Sequence, residues 1–439
     1  MVLFVARCRA DRKPVHDTAN LRSGMATAGT STTIDRTPVY ALLIGNTISL
    51  VGNSLTAIAL PWFVLETTGS AAKTGLVASF VALPALLAGI FGGTLVDRVG
   101  FKRTSVISDV VSGLGVALIP LLYSTVGLPF WQLLALVFLG ALLDIPGMTA
   151  RRSLLPELAD LGQIKLERVN AAFESITNLS LLLGPPIAGI LIGFVGASQV
   201  LWIDTATFVV SAALVAFAIP SSIVAGRGAV TGRYLSEMLA GFRFLRRDSV
   251  LLALAVSLGL TNMLGAPFYS VMLPVFAKRT YGDATYLGIL VGASGAGAFL
   301  GAAVYGWFGH RLPRRTVWLT AFLLSPVEFW IVALHPPLAV ILAVFVFAGV
   351  WIGGVNPLLV TVRHERIPPE LRGRIFSTFS AIATLATPIG TFIGGNLIAG
   401  IGLTPSILAF AILSQLAGII MFFVPAFHHL DEHRGEHPA

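Results

Sequence analysis

The first half of this chain recurs in its second half at a fixed offset, and this duplication constrains the fold more than any other feature. The offset is 213 residues over about 100 positions and then falls to 206, so the first half contains a longer loop. The pairs that define it are Leu60 and Leu273, Pro61 and Pro274, Phe63 and Phe276, Gly69 and Gly282, Gly75 and Gly288, Gly93 and Gly306, Arg98 and Arg311, Gly140 and Gly353, Pro156 and Pro369, Arg168 and Arg374, Gly184 and Gly390, and Gly189 and Gly395. The sequence therefore predicts two repeats that face the same way.

The composition places these repeats in a membrane. Hydrophobic residues make up 55% of the chain and charged residues only 11%, with a mean hydropathy of +0.85. The apolar runs are about 20 residues or longer and do not alternate with polar residues, which favours transmembrane helices over transmembrane strands. Twelve spans are predicted, at 39–65, 73–96, 103–124, 130–150, 169–195, 199–219, 250–277, 285–309, 315–334, 338–361, 374–400 and 404–425. Two like-oriented six-helix repeats are one architecture of secondary transporters.

The positive charges predict the orientation in the membrane. Of the 29 Lys and Arg residues, 26 fall in the two tails and in alternate loops, and only Lys73, Lys278 and Arg279 fall on the other side. Apart from the first residues of four spans, which are Lys73, Arg103, Arg315 and Arg374, no Lys or Arg lies inside a predicted span. The prediction is a multi-pass protein of the cell (inner) membrane. The positive-inside rule then places both of its termini in the cytoplasm. The net charge of +8 is explained by this topology and by contact with anionic membrane lipid, so no nucleic-acid partner is expected.

The predicted organisation has five parts. These are a disordered cytoplasmic tail at 1–38, a six-helix bundle at 39–219, a linker at 220–249, a second bundle at 250–425 and a cytoplasmic tail at 426–439. In the linker, Tyr234 to Leu245 is predicted to form a basic amphipathic helix on the cytoplasmic leaflet, or alternatively a site for a regulatory partner.

The single cysteine, Cys8, excludes an intramolecular disulfide. Four histidines near the end, His428, His429, His433 and His437, indicate a solvated tail rather than a metal site.

Two motifs carry a resemblance to a known family. The stretch from Gly93 to Arg103 resembles the loop 2–3 signature of the major facilitator superfamily, through Gly93, Asp97, Arg98, Gly100 and Lys102. The stretch from Leu183 to Gly189 resembles the antiporter motif of drug/proton antiporters in that superfamily, through Gly184, Pro185 and Gly189. Residues 147–157 and 168–174 look most like Tap-type multidrug efflux proteins, and more broadly like the macrolide-efflux and enterobactin-exporter branch. The resemblance implies an all-α polytopic fold of 12 transmembrane helices in two parallel six-helix repeats, acting as a monomer.

The resemblance also suggests roles for the motif residues. Asp97 and Arg98 end a helix at the predicted cytoplasmic surface, where a carboxylate can meet a helix N-terminus or an arginine of the other half when an inner gate shuts. This latch competes with a simpler interpretation, in which the basic residues only enforce topology. Gly184 and Pro185 would bend and closely pack the fifth helix, although ordinary packing glycines give the same pattern.

Carboxylates inside the membrane are the candidates for proton coupling, because ionisable groups there are costly. Among Asp109, Asp144, Glu174, Asp204 and Glu328, the expected cavity geometry ranks Glu174 and Asp144 first, each about 9 Å from the cytoplasmic end and without an intramembrane cation. Asp144 can instead belong to a structural network with arginines at its helix end.

The remaining acids carry weaker predictions. Asp109 is expected to pair with Arg98 or Arg103, Asp204 needs no special role, and Glu328 lacks a visible partner. The fourth helix lacks the intramembrane arginine of many drug/proton antiporters.

Polar amides beside aromatic residues are the candidates for substrate contact. Asn46 and Asn53 share a face of the first helix, and Asn53 stands where relatives commonly carry an acid. Later cavity helices offer Asn262, Tyr269, Trp351 and Asn356, which fit a large apolar pocket with few polar anchors. The alternative is that the asparagines join helices and Trp351 faces lipid.

The sequence shows no enzyme motif, no nucleotide-binding loop and no cofactor site. The prediction is a secondary active transporter that exports amphipathic small molecules such as drugs and antibiotics, with the proton gradient as its energy source. One alternative is an exporter of a siderophore or lipid-like metabolite. An alternative from another class is a non-transporting membrane sensor on the same scaffold.

Overall fold

The computed structural model describes residues 35–220, 234–368 and 371–432 of the chain. The side chains of 85–86, 88–95, 97, 234–240 and 373–374 also lie outside the description. Residues 1–34 of the predicted N-terminal tail, with Cys8, therefore fall outside the described residues, as do the first part of the linker and the histidines His433 and His437.

The described residues form 18 α-helices and no strand. The helices are α1 Thr37–Thr68, α2 Ala71–Val99, α3 Phe101–Thr125, α4 Phe130–Leu142, α5 Asp144–Leu161, α6 Leu166–Val195, α7 Ala197–Ala218, α8 Tyr234–Arg247, α9 Ser249–Pro267, α10 Leu273–Thr280, α11 Ala284–Phe308, α12 Arg314–Leu324, α13 Val327–Leu334, α14 Leu338–Gly353, α15 Val355–Arg366, α16 Arg372–Leu385, α17 Thr387–Ile401 and α18 Leu403–Phe422. A π-helix, Phe268–Met272, joins α9 to α10, and 3₁₀ turns follow α11 and α18.

The helices form the predicted membrane spans. Eleven described segments are long and apolar enough to cross a membrane, and each predicted span except 73–96 overlaps one of them. That twelfth span corresponds to α2, whose stretch Ala71–Pro84 is a shorter apolar helix. Large apolar side chains point outward from the helices, among them Phe194, Phe217 and Trp307, which are 83%, 90% and 75% exposed. Such an outward-facing apolar surface suits lipid, so the protein is an all-α multi-pass membrane protein.

The spans pack as two bundles. In the N-terminal bundle, α1 packs on α6 and α7, and α3 packs on α4, α5 and α7. In the C-terminal bundle, α9 packs on α16 and α17, and α11 packs on α14. The helix α8 lies where the sequence predicts one, and it packs on α9 and α16 of the C-terminal bundle. The end of each bundle that carries the loops rich in Lys and Arg is called the basic end below.

Two seams of close helix contact join the bundles, and both are built from glycines that the repeat relates. At the seam between α2 and α17, a Cβ added to Gly75 would lie 2.8 Å from the Gly395 Cα. At the seam between α6 and α11, a Cβ added to Gly189 would lie 2.8 Å from the Gly288 Cα. Backbones approach this closely only where side chains are absent. The duplicated glycines therefore serve as matching contact points between the bundles.

The hydrophobic core follows the same division. One cluster crosses between the bundles and includes Phe63 of α1 and Phe276 of α10. Two further clusters lie within one bundle each, around Leu154 in the N-terminal bundle and around Trp318 in the C-terminal bundle. The bundles thus share apolar packing away from the basic end and have separate cores nearer to it.

The segment after the last span is more ordered than predicted. Pro425–Leu430 forms a 3₁₀ turn in which Phe427 and Leu430 are buried against the cluster around Trp318. His428 and His429 on this turn are exposed, and His428 contacts Arg315. A purely solvated tail from 426 is therefore the wrong description for this stretch, because two apolar side chains anchor it to the bundle.

Candidate functional site

An ion pair buried in the N-terminal bundle joins several of its helices. The Arg151 guanidinium of α5 donates to the Asp109 carboxylate of α3, and the two side chains are 6% and 2% exposed. Arg151 also donates to Ser105 Oγ of α3 at 3.1 Å and to Asn46 Oδ1 of α1 at 3.3 Å. The Ser211 hydroxyl of α7 donates to Asp109 at 2.7 Å. Because both charges are compensated by hydrogen bonds, the network ties α1, α3, α5 and α7 together.

This network corrects two predictions. The fourth span does contain an arginine, since its helix continues to Leu161 instead of ending at 150, and Arg151 is buried inside it. Asp109 therefore pairs with Arg151 and not with Arg98 or Arg103.

Asp144 lies at the break between α4 and α5. Its Oδ1 accepts a hydrogen bond from Ser112 Oγ of α3 at 2.9 Å. Among the described residues it makes no ion pair, because the nearby Arg151 is engaged by Asp109. Its neighbour is thus a hydroxyl group and its proton-coupling role stays a prediction.

Glu174 is placed differently from the sequence prediction. Its Oε1 lies 2.9 Å from Arg152 Nη2, and the two side chains are 54% and 49% exposed. Arg152 also lies over the Phe173 ring, 5.5 Å from its centroid. The expectation that Glu174 has no cation partner is wrong, because α5 and α6 both extend far enough at the basic end to bring the pair together. Asp144 and Glu174 therefore have separate partners in separate surroundings.

Asp204 of α7 is fully buried and holds α7 to α1. The Thr56 hydroxyl of α1 donates to one carboxylate oxygen, and Thr207 Oγ1 donates to the other at 3.0 Å. A Cβ added to Gly52 would lie 2.2 Å from Asp204 Oδ1. The interpretation that Asp204 has no special role is therefore wrong, since it is a packed contact between two helices.

Glu328 of α13 has partners that the sequence did not reveal. Its Oε2 accepts a hydrogen bond from the Tyr269 hydroxyl on the π-helix, and its Oε1 accepts one from Ser294 Oγ of α11 at 2.9 Å. Glu328 is 4% exposed and lines a cavity of about 110 Å³ in the C-terminal bundle. The expectation that it lacks a partner is wrong, because two hydroxyl groups from other spans converge on it.

The substrate candidates divide into two groups. Asn46, Asn262 and Tyr269 use polar atoms inside the bundles: Asn46 accepts from Arg151, Asn262 Nδ2 donates to the Ala383 carbonyl at 2.8 Å, and Tyr269 donates to Glu328. Asn53 is half-buried, Trp351 and Asn356 are exposed, and within the described part of the chain neither asparagine side chain makes a hydrogen bond. These three have polar or aromatic surface available for a substrate.

The predicted latch lies at the basic end, between α2 and α3. Gly93 lies within α2, Arg98 is exposed near its end, and Gly100 has a φ of 90° at the junction with α3. Lys102 Nζ donates to the Ile219 carbonyl at the end of α7 at 2.6 Å. The side chain of Asp97 lies outside the described residues. The positive φ at position 100 favours glycine over any residue with a side chain. Lys102 binds the C-terminus of α7, where the helix dipole favours a cation.

The predicted antiporter motif lies at a three-helix contact. The helix α6 continues through Pro185 and Pro186 as one element. A Cβ added to Gly184 would lie 2.2 Å from Ser54 Cβ of α1, and Gly189 contacts Gly288 of α11. The motif thus packs α6 against a helix of its own bundle and against one of the other bundle.

Sequence reasoning missed Arg151 and the partners of Glu328. A signal for the first was present, because Ser105, Asp109 and Ser112 recur at helical spacing on one face of α3 and form a polar stripe. No local pattern connects Glu328 to Tyr269 and Ser294, which lie 59 and 34 residues away.

Known proteins are similar to this chain in sequence and in fold. The family described as transmembrane secretion effector matches residues 31–437. The multidrug efflux pump Tap of Mycolicibacterium fortuitum is 32% identical over 405 residues, which cover 91% of this chain and 98% of that protein. Macrolide efflux protein A of Streptococcus pyogenes is 22% identical over 356 residues, covering 80% of this chain and 87% of that protein.

Solved structures agree on the fold. A point mutant of the nucleoside transporter NupG superposes with a TM-score of 0.75 at 14% identity, covering 88% of this chain and all of that one. A bacterial homologue of the human lysosomal transporter Spinster, in an inward-facing and unoccupied conformation, superposes with a TM-score of 0.69 at 13% identity, covering 91% of this chain and 98% of that one. With its helical bundles and glycine seams, the chain belongs to the transmembrane secretion effector family of major facilitator transporters.

Proposed function

We propose that this protein exports amphipathic small molecules, including drugs, in exchange for protons. The two bundles would rock about a central pocket and open it to each side of the membrane in turn. The similarity to efflux pumps for multiple drugs and for macrolides supports export, and the transporter fold supports alternating access. The protein would act as a monomer in the inner membrane, with both termini in the cytoplasm and the proton gradient as its energy source.

The observation that carries the proton exchange is the environment of Asp144. An ionised carboxylate inside a membrane protein is costly unless its charge is neutralised. A positively charged side chain or a bound proton can neutralise it. Arg151 neutralises Asp109, whereas Asp144 has the Ser112 hydroxyl and no ion pair among the described residues. A carboxyl in such a site can bind and release a proton without first breaking a salt bridge.

Glu174 would act at the other end of the proton path. It lies at the exposed basic end beside Arg152, and protonation of its carboxyl would release Arg152. This arrangement suits a proton exit toward the cytoplasm more than a site of tight binding. Asn53, Trp351 and Asn356 would contact the transported molecule.

The test is drug-dependent proton movement in liposomes that contain the purified protein. We expect a gradient of a cationic amphipathic drug to move protons in the opposite direction in the wild type, and an uncoupler to abolish uphill drug transport. Asp144→Asn should lose the proton movement. Glu157→Gln is the matched control, because it removes an exposed carboxylate from the same helix and should behave as wild type.

The alternatives give different results in the same assay. A sensor would bind the drug without moving protons. A siderophore or lipid exporter would move protons with those substrates and not with drugs. Normal coupling in Asp144→Asn would remove that residue from the proposed proton path.

A further inference from the structure

We propose that Glu328, Tyr269 and Ser294 form a second proton-binding site, buried in the C-terminal bundle and separate from the path of the transported molecule. This inference rests on the proton exchange proposed above and extends it to Glu328, a candidate that the sequence ranks below Glu174 and Asp144. The ligand is a proton delivered by water in the adjoining cavity.

The three side chains come from three different spans and meet at the carboxyl group. The Tyr269 hydroxyl donates to Glu328 Oε2, and Ser294 Oγ donates to Oε1 at 2.9 Å. The two hydroxyl oxygens are 3.0 Å apart. Each carboxylate oxygen therefore accepts one O–H group, and the second lone pair of either oxygen is available for a proton.

No positively charged side chain of the surrounding described elements neutralises Glu328. The surrounding elements α9, α11, α14 and α18 contain no Lys, Arg, His, Asp or Glu, and their titratable groups are limited to Tyr286 and Tyr305 of α11. The π-helix adds Tyr269 itself. The basic residues of the preceding helix, Arg314 and Arg315, lie about 20 Å away along the axis, from roughly 13 residues at 1.5 Å each. A proton is thus the available means of neutralising this buried carboxylate.

The cavity beside Glu328 is suited to water and not to a drug. Its volume of about 110 Å³ exceeds the 10–15 Å³ or so that one water molecule needs, but falls well below the roughly 300–1,000 Å³ of drug-binding pockets. Polar groups of Thr261, Ser325 and Ser414 line it together with Glu328. The Ser414 hydroxyl is buried and has no hydrogen-bond partner in the structure, as expected where water completes the site. The cavity can therefore hold water beside Glu328 while it excludes the transported molecule.

The π-helix connects this site to the first span of the bundle. Tyr269 lies on the five-residue π-helical turn between α9 and α10, and such turns occur frequently at functional sites. When hydronium in the cavity gives its proton to the carboxylate, water remains and the carboxyl group becomes a hydrogen-bond donor. The Tyr269 hydroxyl then meets a neutral group instead of an anion, and its hydrogen bond weakens. Protonation of Glu328 therefore changes the strength of a hydrogen bond made by the π-helical turn, and this turn sets the direction of the seventh span.

Infrared difference spectroscopy on the reconstituted protein tests the site directly. Between acid and alkaline pH, we expect a protonated-carboxyl stretching band that is present in the wild type and absent from Glu328→Gln. Tyr269→Phe removes one donor to the carboxylate, so the midpoint of the band should move upward by about 1–2 pH units. Tyr281→Phe, another tyrosine of this bundle that makes no contact with Glu328, is the matched control and should leave the midpoint unchanged.

Transport measurements separate this inference from the proposed function. Glu328→Gln should lose drug-driven proton movement and keep drug-for-drug exchange, because exchange needs the drug path alone. Wild-type coupling in Glu328→Gln together with an unchanged infrared band would overturn the second site while leaving proton exchange intact. Absence of proton movement in the wild type would instead overturn the proposed function. If Glu328→Gln does not fold, an unmoved midpoint in Tyr269→Phe overturns the site.

Discussion

Asp109 of the N-terminal bundle and Glu328 of the C-terminal bundle are both buried acids, but different groups compensate their charges. In the N-terminal bundle, Asp109 is neutralised by Arg151 inside a packed network of side chains. In the C-terminal bundle, Glu328 is held by two hydroxyl groups beside a cavity. The repeat therefore preserves the glycine contacts between the bundles and not the charges around these two acids.

A hydroxyl donor to a buried acid is a feature that the two halves keep in common. Thr56 and Tyr269 are related by the 213-residue offset, and each donates to a buried carboxylate. The acids come from different places, Asp204 from the sixth span and Glu328 from the ninth. Their surroundings differ too, because Gly52 packs closely on Asp204 whereas its repeat partner Gly265 borders the cavity. One half has thus become rigid around its acid and the other has kept space for water.

The largest expected effect distinguishes the paired acid from the unpaired one. Arg151→Met leaves Asp109 as an uncompensated buried charge, so we expect the free energy of unfolding to fall by about 3–5 kcal/mol. Glu328→Gln removes a charge and leaves no opposite charge behind, so its cost should be closer to 1 kcal/mol. Unfolding of the purified protein in detergent measures both.

The double variant Arg151→Met with Asp109→Leu is the control for the first effect. Replacing both partners by apolar residues removes the uncompensated charge, and most of the lost stability should return. A double variant no more stable than Arg151→Met alone would contradict the assignment of the cost to the unpaired Asp109.

The glycine seams should respond alike in both bundles. Gly75→Val and Gly288→Val each place a side chain against backbone atoms of the other bundle, at 2.6 Å from the Thr391 and Pro185 carbonyl oxygens, respectively. Because backbone cannot yield easily, we expect each to lower the free energy of unfolding by about 1–3 kcal/mol and to reduce cross-linking between the bundles. Gly400→Val meets nothing within 4 Å and is the control. If the two variants lost very different amounts of stability, the two seams would not be equivalent contacts.

The glycines next to the two acids should respond differently. A Cβ at Gly52 would lie 2.0 Å from Thr207 Oγ1 and 2.2 Å from Asp204 Oδ1, whereas a Cβ at Gly265 meets nothing within 4 Å. Gly52→Ala should therefore cost roughly 1 kcal/mol or more through strain on Asp204. Gly265→Ala should be neutral or stabilise by up to about 1 kcal/mol through helix propensity. Thermal unfolding of the two variants measures the contrast, and equal losses would show that both acids are equally confined.

The sequence was sufficient for the architecture because the membrane imposes it. Continuous apolar runs must become helices, and the offset that pairs Gly75 with Gly288 and Gly189 with Gly395 identified all four seam residues. It did not reveal which glycine meets which, since Gly75 contacts Gly395 across the bundles and not its own repeat partner. That pairing depends on how the two repeats face each other, which a linear pattern does not contain.

The candidate site was predicted less well because its side chains are brought together by tertiary packing. A helix end misplaced at 150 was enough to move Arg151 from the membrane interior into a loop, and the partner of Asp109 was misjudged as a result. Glu174 shows the reverse error, because eight residues of helix precede it and yet its side chain is exposed. Position along a helix gives depth in the membrane, whereas exposure depends on which neighbours cover that face.

The smallest expected effect concerns the exposed pair of Glu174 and Arg152. Both side chains are about half exposed, so solvent screening should limit the stability contributed by the pair to about 0–1 kcal/mol. Glu174→Gln should therefore leave thermal unfolding nearly unchanged, with even less effect at high salt, and Arg152→Gln should behave in the same way. Because the fold does not depend on this pair, any loss of drug-driven proton movement in Glu174→Gln would come from the carboxyl group itself. If Arg152→Gln keeps that movement while Glu174→Gln loses it, Glu174 carries protons; if both lose it equally, the ion pair matters as a contact between α5 and α6.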